Sequence, residues 1–211
     1  MVVAVAAVVL SARRDDTPSA HPGPSTTDRV EGKHPWSQIT NACDLLDRQA
    51  ITRWVAEIST PPLQSVTLGP TSTAAAEMSC RYTNGEINGE LQDTTAVLEL
   101  RVELADATHD TSFARWKKLW IDDNSSEFEM TGPVPDLGGQ AYYSHWRIDQ
   151  RRIADIPPRQ AVRHVLVVKD GNLAIEVNLE LTLSNKPPAD DQEVATAARR
   201  QLDKALAALR K

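Results

Sequence analysis

Cysteine occurs only twice among the 211 residues, at Cys43 and Cys80, and the two do not form a C-x-x-C pair. A zinc ribbon or a dithiol redox centre is therefore left without its ligands. Basic residues are also in deficit, since 23 Lys and Arg stand against 29 Asp and Glu for a formal net charge of −6. Neutralising a phosphate backbone requires a basic surface, so general nucleic-acid binding is excluded and the acidic balance reads as solubility. The longest apolar run, Val2 to Leu10, falls far short of the about 20 residues that a spanning helix needs. No G-x-S-x-G elbow, H-E-x-x-H helix or glycine-rich phosphate loop occurs. What is present, 41% hydrophobic and 25% charged residues, is ordinary for a folded domain of this length.

The run Val2–Leu10 matches instead the hydrophobic region of a signal peptide, with Leu10-Ser11-Ala12 as a small-residue cleavage site. No basic residue precedes it, Arg13 and Arg14 follow it, and no lipobox cysteine stands after it. The expectation over residues 1–12 is a partial signal peptide or membrane anchor, the start lying inside a longer export sequence. A buried N-terminal strand is the alternative. Residues 13–35 are rich in Pro, Ser, Thr and charge, offer little to bury, and read as a disordered linker. Residues 36–211 read as a single globular domain. In an exported chain Cys43 and Cys80 are expected to form a disulfide, stabilising by about 4 kcal/mol in the chain-entropy model. In a cytosolic chain the same two residues would be buried thiols.

Within the domain, Asp44 to Ile58 places Ile51, Trp54, Val55 and Ile58 on one helical stripe that Pro61-Pro62 terminates. Met78 to Tyr82 reads as a short strand, followed by turn signals at Asn84-Gly85 and Asn88-Gly89. Thr95 to Leu104 alternates, with Leu98, Leu100, Val102 and Leu104 on one face. Thr111 to Ile121 reads as a helix carrying Phe113, Trp116 and Trp120 on one side, the tryptophans read as core rather than as a ligand platform or a membrane-facing patch. Pro133 to Gln140 is a tight loop leading into a strand at Ala141 to Trp146. Val162 to Lys169 and Leu173 to Leu183 form a hairpin about a type I′ Asp170-Gly171 turn, setting Val168 opposite Leu173 and Leu166 opposite Ile175. Val165 and Val167 on the reverse face imply a strand covered on both sides. After Pro187-Pro188 a helix opens on Asp190, Asp191 and Glu193 and buries Val194, Ala198, Leu202, Ala205 and Leu209. The order α-β-β-α-β-β-β-α has no βαβ alternation. It predicts an α+β domain, an antiparallel β-sheet packed against helices, with one disulfide.

Cys-Asp-Leu-Leu at 43–46, Ser-Cys-Arg-Tyr at 79–82, Val-Pro-Asp-Leu-Gly-Gly-Gln-Ala-Tyr-Tyr at 134–143 and Lys-Asp-Gly-Asn at 169–172, with the long C-terminal helix, form a pattern. It resembles an actinobacterial family of secreted lipoproteins grouped as a domain of unknown function, over roughly residues 40 to 210. The resemblance implies a cell-envelope location, either at the extracellular face of the membrane or released, and a structural disulfide. It brings no catalytic residues. The chain departs from the family pattern in lacking the lipid-bearing cysteine and in Asp136, where the family more usually has glycine.

The histidines His21, His34, His109, His145 and His164 are scattered, with no pair at metal-ligand spacing. His109-Asp110 has the look of an oriented imidazole but sits where a helix cap is expected. His164 falls on the core face of its strand and reads as a buried, satisfied residue. Asp122-Asp123-Asn124 with Glu127 and Glu129 has a calcium loop's composition without its glycine and spacing. Gly138-Gly139 reads as a tight turn that would also admit a ligand close to the backbone. The expectation is a non-enzymatic exported envelope domain without cofactor or metal, reaching a membrane only through its N-terminus. Its partner would be another envelope protein or a small ligand such as a lipid or glycan fragment. Two other readings stay open: an envelope-acting hydrolase using His109 or His145 with nearby carboxylates, and an intracellular interaction domain with free thiols. An apolar cavity between sheet and helix with convergent polar groups would favour a small ligand, and a flat apolar patch a protein partner.

Overall fold

The computed structural model describes residues 34, 41–55, 58, 61–67, 76–84, 86–87, 90–91, 94–105, 111–123, 129–137, 140–150, 159–184 and 186–209. Val2–Leu10, His21, His109-Asp110, Asn124, Glu127 and Gly138-Gly139 lie outside these residues, as does the linker apart from His34. In chain order the elements begin with a 3-10 turn Ala42–Leu45, α1 Gln49–Thr52, β1 Leu63–Thr67 and β2 Ala76–Thr83. The two-residue strands β3 Glu86–Ile87 and β4 Glu90–Leu91 come next, then β5 Thr94–Leu104 and α2 Phe113–Lys117, which runs into a π-helical turn Lys118–Asp122. β6 Glu129–Pro133, β7 Gln140–Gln150, β8 Arg159–Asp170, β9 Leu173–Ser184 and α3 Asp191–Leu209 complete the fold. Seven strands form one antiparallel sheet in the order β1-β2-β5-β9-β8-β7-β6, while β3 and β4 pair apart. From β5 the chain passes through α2 to the far edge at β6 and meanders back until β9 closes against β5.

Alternation decides what each face meets. Leu98, Leu100 and Val102 of β5 stand opposite Leu179, Val177 and Ile175 of β9, all fully buried. Onto this face α3 lays Val194, Ala198, Leu202, Ala205 and Leu209, the stripe its periodicity predicts. Asp190 caps the helix, its Oδ1 accepting the N–H groups of Gln192 at 2.8 Å and Glu193 at 3.1 Å. The Cys43–Cys80 disulfide sits under the same layer, with Cα atoms 5.1 Å apart, and no cysteine is free. The bridge is consistent with an extracellular or otherwise oxidising compartment. His34 is buried: its Nδ1 lies 2.9 Å from Leu209 O and its N–H donates to Asn172 Oδ1 at 3.1 Å.

The reverse face is covered by Phe113 and Trp116 of α2, packed on Val165, Val167 and Ala174. The tryptophan stripe is therefore core at Trp116 and half-buried at Trp120, whose indole N–H donates to Glu176 Oε2 at 3.1 Å. Glu176 is itself buried, and that burial, only partly offset by Arg101, holds its carboxyl above the ordinary carboxylate range. A raised carboxylate pKa costs stability above the folded value; the cost shrinks as pH falls from the folded value to the unfolded one and is gone below it. Glu176→Gln keeps an oxygen for Trp120 and removes the buried charge. It is expected to raise the urea midpoint near pH 8, with the gain shrinking towards pH 4. A lower midpoint at pH 8 would show that the Arg101 contact outweighs the desolvation.

Three expectations need correction. The helix over 44–58 is instead a 3-10 turn and a single α turn, because Leu46 is extended and the Asp47 N–H turns away to Gln201 Oε1 at 2.7 Å. Its apolar stripe survives, with Ile51 and Val55 buried. The element order gains β1, β6 and the β3–β4 pair. β1 and β6 are edge strands, exposed along much of their length and, in β6, carrying Gly132 and Pro133, so neither shows strand alternation. The β8–β9 turn is Gly171-Asn172, which pairs Asp170 with Leu173 and Val168 with Ile175. Only Gly171 has positive φ there, at 63°, the type II′ pattern with glycine first, rather than I′. The register moves by two residues, so every side chain keeps its face. Asp136 takes a left-handed φ of 67°.

Candidate functional site

The site is built on two histidines, and His164 is buried and hydrogen-bonded on the core face of its strand as expected. Scattered in sequence, His145 and His164 are direct partners across β7 and β8, on the α3 face. Their Nδ1 atoms lie 3.2 Å apart, with ring centroids separated by 5.4 Å. Tyr143 stacks on His164 at 5.9 Å and 14°. The tyrosine ring lies over Gly132, its partner in β6, where an added Cβ would meet ring carbon Cε1 at 2.9 Å. Glycine at 132 thus makes room for the ring.

A polar frame positions the start of α3 beside this pair. Arg147 donates from Nη1 to Asp191 Oδ1 at 2.8 Å and from Nε to Asp149 Oδ2 at 3.1 Å. Asp149 Oδ1 also accepts Gln160 Nε2–H at 2.8 Å, and that bond first, Arg147 second, holds its carboxyl below the ordinary range. Gln160 Oε1 in turn accepts the Ala189 N–H at 2.7 Å, ahead of the helix.

Because α3 runs over β8 and β9, the sheet beyond it towards β6 is left as an open cleft of about 390 Å³. Met130, Pro133, Val134, Pro135, Leu166 and Ala195 make its apolar walls. Tyr143, His145, His164, Asp191, Gln192 and Arg199 supply the polar groups, and Arg199 is drawn towards Asp203 at 2.9 Å. A larger groove of about 640 Å³ lies between α1 and α3, where Arg53 pairs with Glu193 at 2.5 Å and Lys204 Nζ donates to Leu46 O at 2.7 Å.

His145 and His164 are both nearly inaccessible, at 4% and 6% exposure. Burial, and then the neighbouring His145, pushes His164 down to about 4, so it is neutral at physiological pH. Of two facing Nδ1 atoms, one must donate and the other accept. His145 Nε2 lies 3.4 Å from Asp191 Oδ1, near enough for the carboxylate to favour a proton there, though out of line for a hydrogen bond. With both rings neutral, that carboxylate favours the Nε2–H tautomer of His145, in which His164 donates its Nδ1–H to His145 Nδ1. The Nε2–H of His145 is buried in the cleft wall without a hydrogen-bond acceptor.

The remaining candidates separate from this site. Asp122 and Asp123 are held by Lys117 and Lys118 at 2.6 Å and 2.9 Å, which accounts for them as ion pairs. Among the described residues no group of three His, Cys, Asp or Glu side chains is arranged to hold a metal ion. No described helix is long and apolar enough to cross a membrane. No family model matches the chain, and no curated protein matches it.

Proposed function

We propose that this chain is a non-enzymatic, exported cell-envelope domain that binds a small, largely apolar ligand in the cleft between β6–β8 and the first turns of α3. The cleft carries the reading: its size lies within the range of small-molecule sites, and its walls are apolar with a few convergent polar groups. The disulfide and the resemblance to secreted envelope lipoproteins support the location. A hydrolytic reading has one observation in its favour, His145 beside Asp191 in a cleft. Against it, a general base needs a lone pair facing the substrate, and the carboxylate puts a proton on that nitrogen. No Ser, Thr or Cys side chain is among the described residues lining the cleft.

Ala195, half-buried on the helix wall, offers a direct test. The neutral fluorophore N-phenyl-naphthylamine is expected to bind with one-to-one saturation, and Ala195→Trp to weaken it by about tenfold or more while leaving the thermal midpoint unchanged. Equal binding by both proteins would place the fluorophore elsewhere and remove the reading.

A further inference from the structure

We propose that the ligand is an acyl ester or amide whose uncharged carbonyl oxygen accepts the Nε2–H of His145 while its hydrocarbon chain lies along the apolar cleft wall. This rests on the cleft being a binding site and names the chemistry it selects. Three observations converge. First, His145 Nε2 is a buried polar atom without a hydrogen-bond partner, and its side chain is 5% exposed and lines the cleft. A buried unpaired donor is costly, and a ligand oxygen that reaches it recovers that cost on binding. Second, the His164 Nδ1–H and Asp191 together hold the imidazole as a donor at that nitrogen, so the complementary group is an acceptor.

Third, the surrounding charge argues against an ion. Asp191 lines the cleft 3.4 Å from the same nitrogen, so a carboxylate or phosphate seated there would face a like charge. A cation would have to compete for Asp191 with Arg147, already bound at 2.8 Å. Leu166, Val134 and Pro133 line the same cleft and offer an ion no solvation, and Arg199, the cation among its lining residues, is drawn towards Asp203 at 2.9 Å. A neutral carbonyl meets the donor without bringing a charge into this wall.

Displacement of N-phenyl-naphthylamine tests the chemistry with four probes that share an eight-carbon chain: methyl octanoate, octane, octanoate and octylammonium. Methyl octanoate is expected to bind wild-type protein about tenfold more tightly than octane, as one hydrogen bond to an otherwise unpaired buried group requires. His145→Phe should bring the ester-to-octane ratio close to one, and His145→Gln, which keeps an N–H donor, should restore part of it. Imidazole nitrogen NMR should show His145 protonated at Nε2 and bare at Nδ1, with the Nε2–H signal moving on ester binding. Equal displacement by ester and octane in wild type overturns the hydrogen bond while leaving the cleft as a binding site. Preference for octanoate or octylammonium overturns the neutral-carbonyl assignment. Release of methanol from the ester overturns the non-enzymatic reading, and failure of the fluorophore to bind at all removes the cleft and this inference together.

Discussion

Replacing Cys43 and Cys80 together by alanine is expected to cost about 4 kcal/mol of unfolding free energy, the chain-entropy value for a loop of this length. The bridge closes a separation of 37 residues that contains α1, β1 and the Pro61-Pro62 turn. Of these, α1 is a single turn and β1 is an exposed edge strand, so neither would hold the segment firmly by itself. Cys80 is fully buried between Gln64 of β1 and Leu100 of β5 in the sheet register, and Cys43 sits in a turn whose Ala42, Leu45 and Leu46 enter the same core. Breaking the bond therefore loosens one wall of the core as well as enlarging the unfolded ensemble. Against a total stability of about 5–15 kcal/mol, such a loss is large. Urea unfolding of the double variant, compared with wild type before and after reduction, measures it. The double variant and reduced wild type should shift alike. A loss below about 1 kcal/mol would mean that local packing, not the cross-link, holds the turn to β2.

The elements legible in the sequence are those whose side-chain period is enforced by burial. β5 shows its alternation because Leu98, Leu100 and Val102 enter the core while Val97, Glu99 and Arg101 do not. α3 is marked at its start by Pro187-Pro188 and Asp190 and along its length by a buried stripe. β8 was recognisable as a two-faced strand since Val165 and Val167 are as buried as Leu166 and Val168. Edge strands lack such enforcement: Leu63, Gln64, Ser65 and Val66 of β1 are all exposed, so no pattern distinguishes them from a loop. The break in the first helix was equally hidden, because the Gln201 side chain that takes the Asp47 N–H lies 154 residues away. The candidate site fails to announce itself for the same reason. His145 and His164 meet only through the β7–β8 register, and Asp191, expected simply as a favourable charge at a helix start, also fixes a tautomer across the cleft. The one available signal was parity: His164 shares a face with Leu166 and Val162, and His145 with Ala141 and Tyr143. A cross-strand pair on a core-facing side is where two polar rings must satisfy one another.

That buried pair should make the protein acid-sensitive, at a cost on the order of 3 kcal/mol by about pH 4 from His164 alone. An unfolded histidine titrates near 6.5, whereas His164 in the fold titrates at about 4 because burial, and then the nearby His145, disfavours its charged form. Above the unfolded value both states are neutral and no penalty exists. Between the two values the unfolded chain binds a proton that the native one refuses, so stability falls as pH falls from about 6.5 and the loss levels off below about 4. Tyr143 stacked on His164, and His145 with Asp191 beyond it, are the titratable groups closest to the ring; Arg147 sits behind Asp191. Glu176 works in the opposite sense over the acid range, so the comparison must be made against a variant at His164 rather than against neutral wild type. His164→Asn keeps an N–H near the Nδ1 position and cannot titrate. Wild type is expected to lose urea midpoint relative to His164→Asn as pH falls from about 6.5 to about 4, with the two tracking in parallel above that window. Parallel midpoints throughout the acid range would mean that the pair opens to solvent and takes up its proton without unfolding.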